Sequence, residues 1–143
     1  VDHTEFLTRE EFDKELIKIL TRYSPDLVVL AGFMRILSKV FVDKYIGKLI
    51  NIHPSLLPKY PGLDTHKKVI ENKESHHGVT IHYVDKTLDG GPICAQSQME
   101  VKTSDIKILK DQIHQIEHTI YPLVVKQIAE GKIRFKDGKV IKS

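Results

Sequence analysis

A chain of 143 residues, 41% hydrophobic and 29% charged, can bury a substantial core but is too short for two domains of ordinary size, so residues 1–143 are taken as one domain. With 22 basic and 19 acidic side chains the formal charge is +3, and no block of like charge appears. That balance suits a small anionic ligand and argues against nucleic acid as the partner. The single cysteine, Cys94, excludes an internal disulfide, and no apolar run approaches the roughly 20 residues of a membrane-spanning helix. The polar start Val1-Asp2-His3-Thr4-Glu5 has no signal-peptide character. A soluble protein of a reducing compartment, the cytoplasm, is expected. The missing initiator methionine is consistent with a chain that begins partway through something longer.

In chain order, Thr8 with Glu11 three residues on forms a capping box, and Phe12, Leu16, Ile19 and Leu20 recur at helical spacing until Ser24-Pro25. Asp26 to Ala31 is a continuous apolar run with β-branched residues, the pattern of a strand covered on both faces. Gly32-Phe33-Met34-Arg35 leaves that strand, Ser38 caps a short helix through about Tyr45, and Leu49 to Ile52 reads as the next buried strand. The order α, β, α, β is that of a parallel sheet with crossovers. Thr65 to Asn72 reads as a helix, Gly78 to Val84 as an alternating strand, and Pro92 to Val101 as a strand able to pair with it across the Asp89 loop. Leu109, Ile113, Ile116, Ile120, Leu123, Val124 and Ile128 describe a long amphipathic helix closed by Gly131, with a kink expected at Pro122. Ile133 to Ile141 reads as a hairpin on an Asp-Gly turn. There is no internal repeat or linker-like segment.

The chemistry is concentrated in Asn51-Ile52-His53-Pro54-Ser55-Leu56-Leu57-Pro58-Lys59-Tyr60-Pro61-Gly62 and in Leu88-Asp89-Gly90-Gly91-Pro92. Two apart on one strand, Asn51 and His53 project from the same face, where the strand gives way to a proline-bounded loop. A carboxamide donor, a titratable imidazole and a carboxylate from a second loop are the parts needed to hold charge developing on a reacting oxygen.

These segments resemble the folate-dependent formyltransferase family, in which an Asn, a His and an Asp in such contexts are catalytic. Leu30 to Leu37, Lys59-Tyr60-Pro61-Gly62, His77 to His82 and Glu117-His118 with Ile120-Tyr121-Pro122 extend the likeness over almost the whole chain. It is nearest to those members that pass a formyl group from 10-formyltetrahydrofolate to the amine of glycinamide ribonucleotide in purine biosynthesis. The resemblance implies an α/β, Rossmann-like formyltransferase sheet of parallel core strands with a C-terminal antiparallel part. It also implies catalysis by Asn51, His53 and Asp89, and a folate cleft from Met34, Arg35, Ile36, Leu37, Val42, Val84 and Asp85. Pro54 and Glu117 are implied on the substrate side, with no metal. The family's glycine-rich phosphate loop, a helix N-terminus suited to an anion, has no counterpart here. The expectation is therefore an N-terminally truncated form, the C-terminal two-thirds of the family fold, with a sheet edge left open to association between copies.

Plainer readings accompany each residue. Asp89 before Gly-Gly suits a turn, Glu117 suits a solvated helix face, and Met34 suits a core. Cys94 reads as a small buried side chain. His66, His76, His77, His82, His114 and His118 invite a metal, but no pair sits in a recognised ligand motif. Two alternatives to the transferase stay open. Water accepts the formyl group, as in formyltetrahydrofolate hydrolases, or the chain is a non-catalytic folate-binding fragment that needs a complementary N-terminal piece.

Overall fold

The computed structural model describes residues 3–31 and 36–143. Met34, Arg35 and the exit from the first strand lie outside them. The elements are α1 (Arg9–Thr21), β1 (Val28–Leu30), α2 (Lys39–Lys44), β2 (Leu49–His53), α3 (Thr65–Glu71), β3 (His76–Tyr83), β4 (Ile93–Glu100), α4 (Ile106–Ala129), β5 (Ile133–Lys136) and β6 (Lys139–Lys142). Strands β1 to β4 form one sheet in chain order, and β5 and β6 form a separate hairpin. The β1–β2 pair is parallel, whereas β2–β3 and β3–β4 are antiparallel, as the mixed α/β reading requires.

Local chemistry sets the ends of these elements. At α1 the Thr8 hydroxyl accepts from the Glu11 amide at 3.1 Å. The Glu11 carboxylate accepts from the Leu7 amide at 3.2 Å, one residue short of the reciprocal bond of a full capping box. At α2 Ser38 occupies the N-cap without a side-chain cap bond; its backbone amide instead donates to the buried Asp13 carboxylate at 2.6 Å, tying α1 to α2. Asp105 starts α4 by accepting from the Lys107 and Ile108 amides. The helix runs on through Pro122 to Ala129. The final hairpin turns at Asp137 and Gly138, both with positive φ, the geometry of the tight turn that Asp-Gly favours.

Two apolar clusters lie on opposite sides of the sheet. Ile50, Ile52, Val79, Ile81 and Tyr83 join Ile113, Tyr121 and Val124 of α4 and Ile133 of the hairpin. Leu49 packs with Phe41 and Tyr45, and with the flanking Leu16, Leu20, Val28, Leu30, Leu37 and Val84. Strand β3 is buried almost throughout rather than on alternate residues, because the elements around it cover both of its faces. The expectation for β1 is corrected in the opposite sense. Only three residues pair, β1 is the sheet edge among the described residues, and Val29 is 42% exposed, so its coverage there is one-sided. Leu123 likewise turns outward at 53% exposure, because the next residue, Val124, takes the core position one-quarter turn away.

These placements separate two substitutions on the same helix. Ile113→Ala, which empties a fully buried site, should lower unfolding free energy by about 2–5 kcal/mol. Leu123→Ala should stay within about 0.5 kcal/mol of the parent. Urea denaturation of both variants checks the difference.

Candidate active site

Strand β2 carries its side chains alternately. Leu49, Asn51 and His53 share one face, on which an apolar core residue is followed by two polar ones. Pairing with β3 sets Asn51 opposite His82 and His53 opposite Thr80, so four polar side chains gather on a single face of the sheet.

The loop after β2 is fastened to that face through Thr80. The Thr80 hydroxyl donates to the Ser55 carbonyl at 2.7 Å and accepts from the Leu57 amide at 3.1 Å. The Gln96 amide donates to the same hydroxyl at 2.9 Å and to the Leu57 carbonyl at 2.8 Å. Further along, the Ser55 hydroxyl holds the Lys59 carbonyl at 2.7 Å, and Glu74 accepts from Lys59 and from the Tyr60 hydroxyl. The Tyr60 carbonyl is thereby presented to His53, whose Nε2 donates to it at 2.8 Å.

Asp89 arrives from the β3–β4 loop in the left-handed region, at φ 51°, a conformation that aspartate tolerates better than most residues. Its Oδ2 accepts from the Gly62 amide at 2.8 Å and lies 3.5 Å from His53 Nδ1. Gly91 anchors the far side of this loop. A Cβ there would stand 1.9 Å from the Tyr83 carbonyl, so only glycine allows the approach. Both the imidazole and the carboxylate are nearly buried, at 7% and 11% side-chain exposure.

The two nitrogens of His53 therefore face different oxygens. Nε2–H is committed to a carbonyl, which fixes the ring. The 3.5 Å gap at Nδ1 is longer than the roughly 2.7–2.9 Å of a charge-assisted hydrogen bond, so Nδ1 lies beside Asp89 without being committed to it. Among the described residues the half-buried Asn51 carboxamide is committed to no hydrogen bond. A free amide donor and a steered imidazole on one face are the parts of an oxyanion site.

Other sequence candidates fall around this centre. Pro54 continues directly from His53 and is half-buried. Glu117 on α4 is half-buried; burial raises its pKa, opposed by His114, His118 and His53. Leu37 and Val84 pack in the same apolar cluster, Val42 is buried, and Ile36 is 59% exposed. The Asp85 carboxylate is used by its own turn, accepting from the Thr87 amide at 2.8 Å. Cys94 is fully buried, and burial pushes its thiol up to about 11, which suits packing and not nucleophilic chemistry. No group of three or more metal-ligating side chains occurs among the described residues.

Two residues of this face were not assigned to the site from the sequence, where His82 was weighed only as a metal ligand. Thr80 and His82 repeat in β3 the polar-x-polar spacing of Asn51 and His53, alternating with Val79, Ile81 and Tyr83, and that repetition was the available signal. His82 sits with Nε2 3.8 Å from Asp89 Oδ1.

Comparison with protein families matches residues 1–125 to the formyl transferase family. The chain belongs to that family. It is 48% identical over 134 residues to the phosphoribosylglycinamide formyltransferase of Escherichia coli (strain K12), covering 93% of this chain and 63% of the relative. The enzyme of that name from Haemophilus influenzae is 41% identical over 134 residues, again with 93% and 63% covered. The chain thus spans under two-thirds of the length of these relatives. Among solved structures, the phosphoribosylglycinamide formyltransferase of Coxiella burnetii superimposes with a TM-score of 0.91 at 45% identity, over 98% of this chain and 66% of that one. A formyltetrahydrofolate deformylase from Pseudomonas syringae shares the fold at a TM-score of 0.84 and 28% identity, over 90% of this chain and 44% of its own.

Beside the site, His66 Nδ1 and His77 Nε2 lie 3.0 Å apart, sharing one hydrogen. Burial first, then the positive neighbours His66 and His53, push His77 down from 6.5 to about 4. His66 is lowered by burial, then by His114, Lys110 and His53. A folded-state value below the unfolded one means the unfolded chain takes up protons first as pH falls. Stability should accordingly be complete above 6.5 and decline towards about 4. Denaturation midpoints across that interval check this, with His77→Gln expected to flatten the slope whatever its absolute stability.

Proposed function

We propose that this chain carries the catalytic centre of an enzyme that moves the formyl group of 10-formyltetrahydrofolate to the amine of glycinamide ribonucleotide, a step of de novo purine biosynthesis. Residues 1–143 would act as one formyltransferase catalytic unit, and the lone buried thiol suits the cytoplasm. The observation that carries this reading is the near-buried His53–Asp89 pair on the face that also presents Asn51. The names borne by the relatives supply the substrate class.

In this reading the amine nitrogen attacks the formyl carbon. A C–N bond forms, and the carbonyl π pair moves onto oxygen, giving a tetrahedral adduct with negative charge on that oxygen. The Asn51 carboxamide donates to it, and His53 donates through Nδ1–H. Nε2 remains on the Tyr60 carbonyl, and Asp89 favours the doubly protonated ring. The added nitrogen gives up its proton to the Asp89 carboxylate, which relays it to the folate nitrogen as the oxygen's electron pair re-forms the carbonyl. The bond from carbon to the folate nitrogen breaks, and that nitrogen takes a proton, leaving tetrahydrofolate and the N-formyl product.

The apolar surface of Leu37 and Val84, with Ile36, Val42 and Asp85, is proposed for the pterin, a flat ring suited to apolar surfaces with a few polar groups; Met34 and Arg35 are proposed for it from the family resemblance alone. Pro54 and Glu117 are proposed on the ribonucleotide side. The half-buried Glu117 side chain lies within electrostatic reach of His53, which supports a carboxyl group on the side of the reacting amine.

The deformylase likeness supports a second reading, in which water replaces the amine. The Pro54 and Tyr60-Pro61-Gly62 context favours the transferase. In the enzyme containing this chain, formate release from 10-formyltetrahydrofolate should be slow without the amine acceptor, and formyl transfer fast with it; rapid stoichiometric formate would establish the hydrolase instead. His53→Ala and Asp89→Ala should each lower kcat by on the order of 100-fold to 1000-fold with the fold retained. Spectrophotometric formation of tetrahydrofolate measures this loss, and near-normal rates in either variant would remove the proposed mechanism.

A further inference from the structure

His82 is a buried imidazole against Asp89 that the proposed reaction leaves unused. Its ring is fixed from one side, since Nδ1–H donates to the Tyr83 carbonyl at 3.0 Å. The other nitrogen, Nε2, is buried and has no hydrogen-bond partner among the described residues. It points at Asp89 Oδ1 across 3.8 Å. The β3–β4 ladder is irregular at this point: Ile81 pairs with Ala95 and His82 with Ile93, so Cys94 is skipped. Bulges of this kind re-aim side chains.

One carboxylate therefore stands between two imidazoles. Asp89 Oδ2 is held by the Gly62 amide and faces His53 Nδ1 at 3.5 Å, while Oδ1 faces His82 Nε2 at 3.8 Å. Neither separation is a formed charge-assisted hydrogen bond, so a small rotation of the carboxylate about its fixed Oδ2 contact favours one ring over the other.

We infer that His82 is a positioning residue for this centre: neutral, it leaves the Asp89 carboxylate to His53, and protonated on Nε2 it draws the carboxylate towards itself. The inference rests on the formyl-transfer reading in taking Asp89 as the partner of His53. With Nδ1–H committed to a carbonyl, neutral His82 offers Asp89 only a lone pair, and two acceptors do not bind one another. A proton on Nε2 converts the same contact into an ion pair. The charged and titratable groups facing His82 are Asp89 and Asp85 from the β3–β4 loop and His53 from β2; β4 places Ile93 opposite. Burial lowers the His82 pKa and outweighs the two carboxylates, so the neutral, permissive form prevails at ordinary pH. Acidification moves the balance towards the His82 side of the carboxylate.

The test uses the chain itself and no turnover. Imidazole nitrogen resonances of His53 and His82 are followed by NMR across the acid range in the wild type, His82→Leu, His82→Gln and Asp89→Asn. In the wild type the His53 Nδ1 resonance should show an inflection in the interval where His82 itself titrates. Both His82 variants should lose it, and either one suffices if the other fails to fold. Survival of that inflection in a folded His82 variant, or its absence from the wild type, overturns the inference. If Asp89→Asn leaves the wild-type His53 curve unchanged, the His53–Asp89 pairing itself fails, a separate result that would sink the formyl-transfer mechanism as well.

Discussion

The register between β2 and β3 is the constraint on which the site depends. Asn51 opposite His82 and His53 opposite Thr80 place four polar groups on one face, and a slip of a single residue would turn them all into the apolar layer beneath α4. What forbids the slip is the other face. Ile50 and Ile52 on β2, with Val79, Ile81 and Tyr83 on β3, are buried against Ile113, Tyr121 and Val124. Each such side chain contributes roughly 1.5–3 kcal/mol by leaving water. The core thus fixes the chemistry indirectly, because alternation leaves the polar set no other place to go.

Once the strands are set, two loops have to meet above them, and each is held by backbone hydrogen bonds. Thr80 uses its hydroxyl as donor and acceptor at once, binding Ser55 and Leu57 and receiving Gln96, which leaves no bonding capacity of a buried hydroxyl idle. Gly62 then presents its amide to Asp89, and Gly91 lets the Asp89 loop close on the end of β3. A carboxylate this far from solvent would be costly alone. It is supported by the Gly62 amide and by the His53 imidazole beside it, which the ladder sets on the same strand as Asn51.

Short-range features were legible in the residues. The Thr8 cap, the Asp137-Gly138 turn and the long periodic α4 are local bargains between a side chain and its own backbone, and the structure has them where the spacing put them. The Asn51-x-His53 pair was legible for the same reason. What required the fold was pairing. Thr80 and His82 look like ordinary polar interruptions of a strand until β2 lies beside them. The apolar run around Val29 could not announce that it would lie at a sheet edge among the described residues. Leu123 illustrates the limit of periodicity: with two adjacent apolar residues, a helix can bury only the one whose angle faces the sheet, here Val124.

Along β2 itself the transition from core to chemistry takes five residues. Leu49 is fully buried under the α2 cluster, Asn51 on the same face is half-buried, and His53 reaches the loop. The opposite edge of this transition is held by Tyr121, whose hydroxyl donates to the Leu30 carbonyl at 2.5 Å and approaches the Ile50 carbonyl at 3.3 Å. Burial raises the Tyr121 pKa, so the hydroxyl stays a donor at any pH the fold survives. Those two carbonyls belong to the carboxyl end of β1 and to the residue before Asn51, the end of a parallel pair at which open α/β sheets bind their ligands. Helix α4 therefore does more than cover the sheet. Through one phenol it fixes the spacing of the two strands whose ends frame the reacting groups, and through Glu117 it brings a half-buried carboxyl to within the influence of His53. A rigid parallel pair, an antiparallel neighbour in fixed register and a helix bolted to both give the Asn51 amide, the His53 imidazole and the Asp89 carboxylate a common frame, and oxyanion stabilisation, the role proposed for them, requires donors positioned before charge develops.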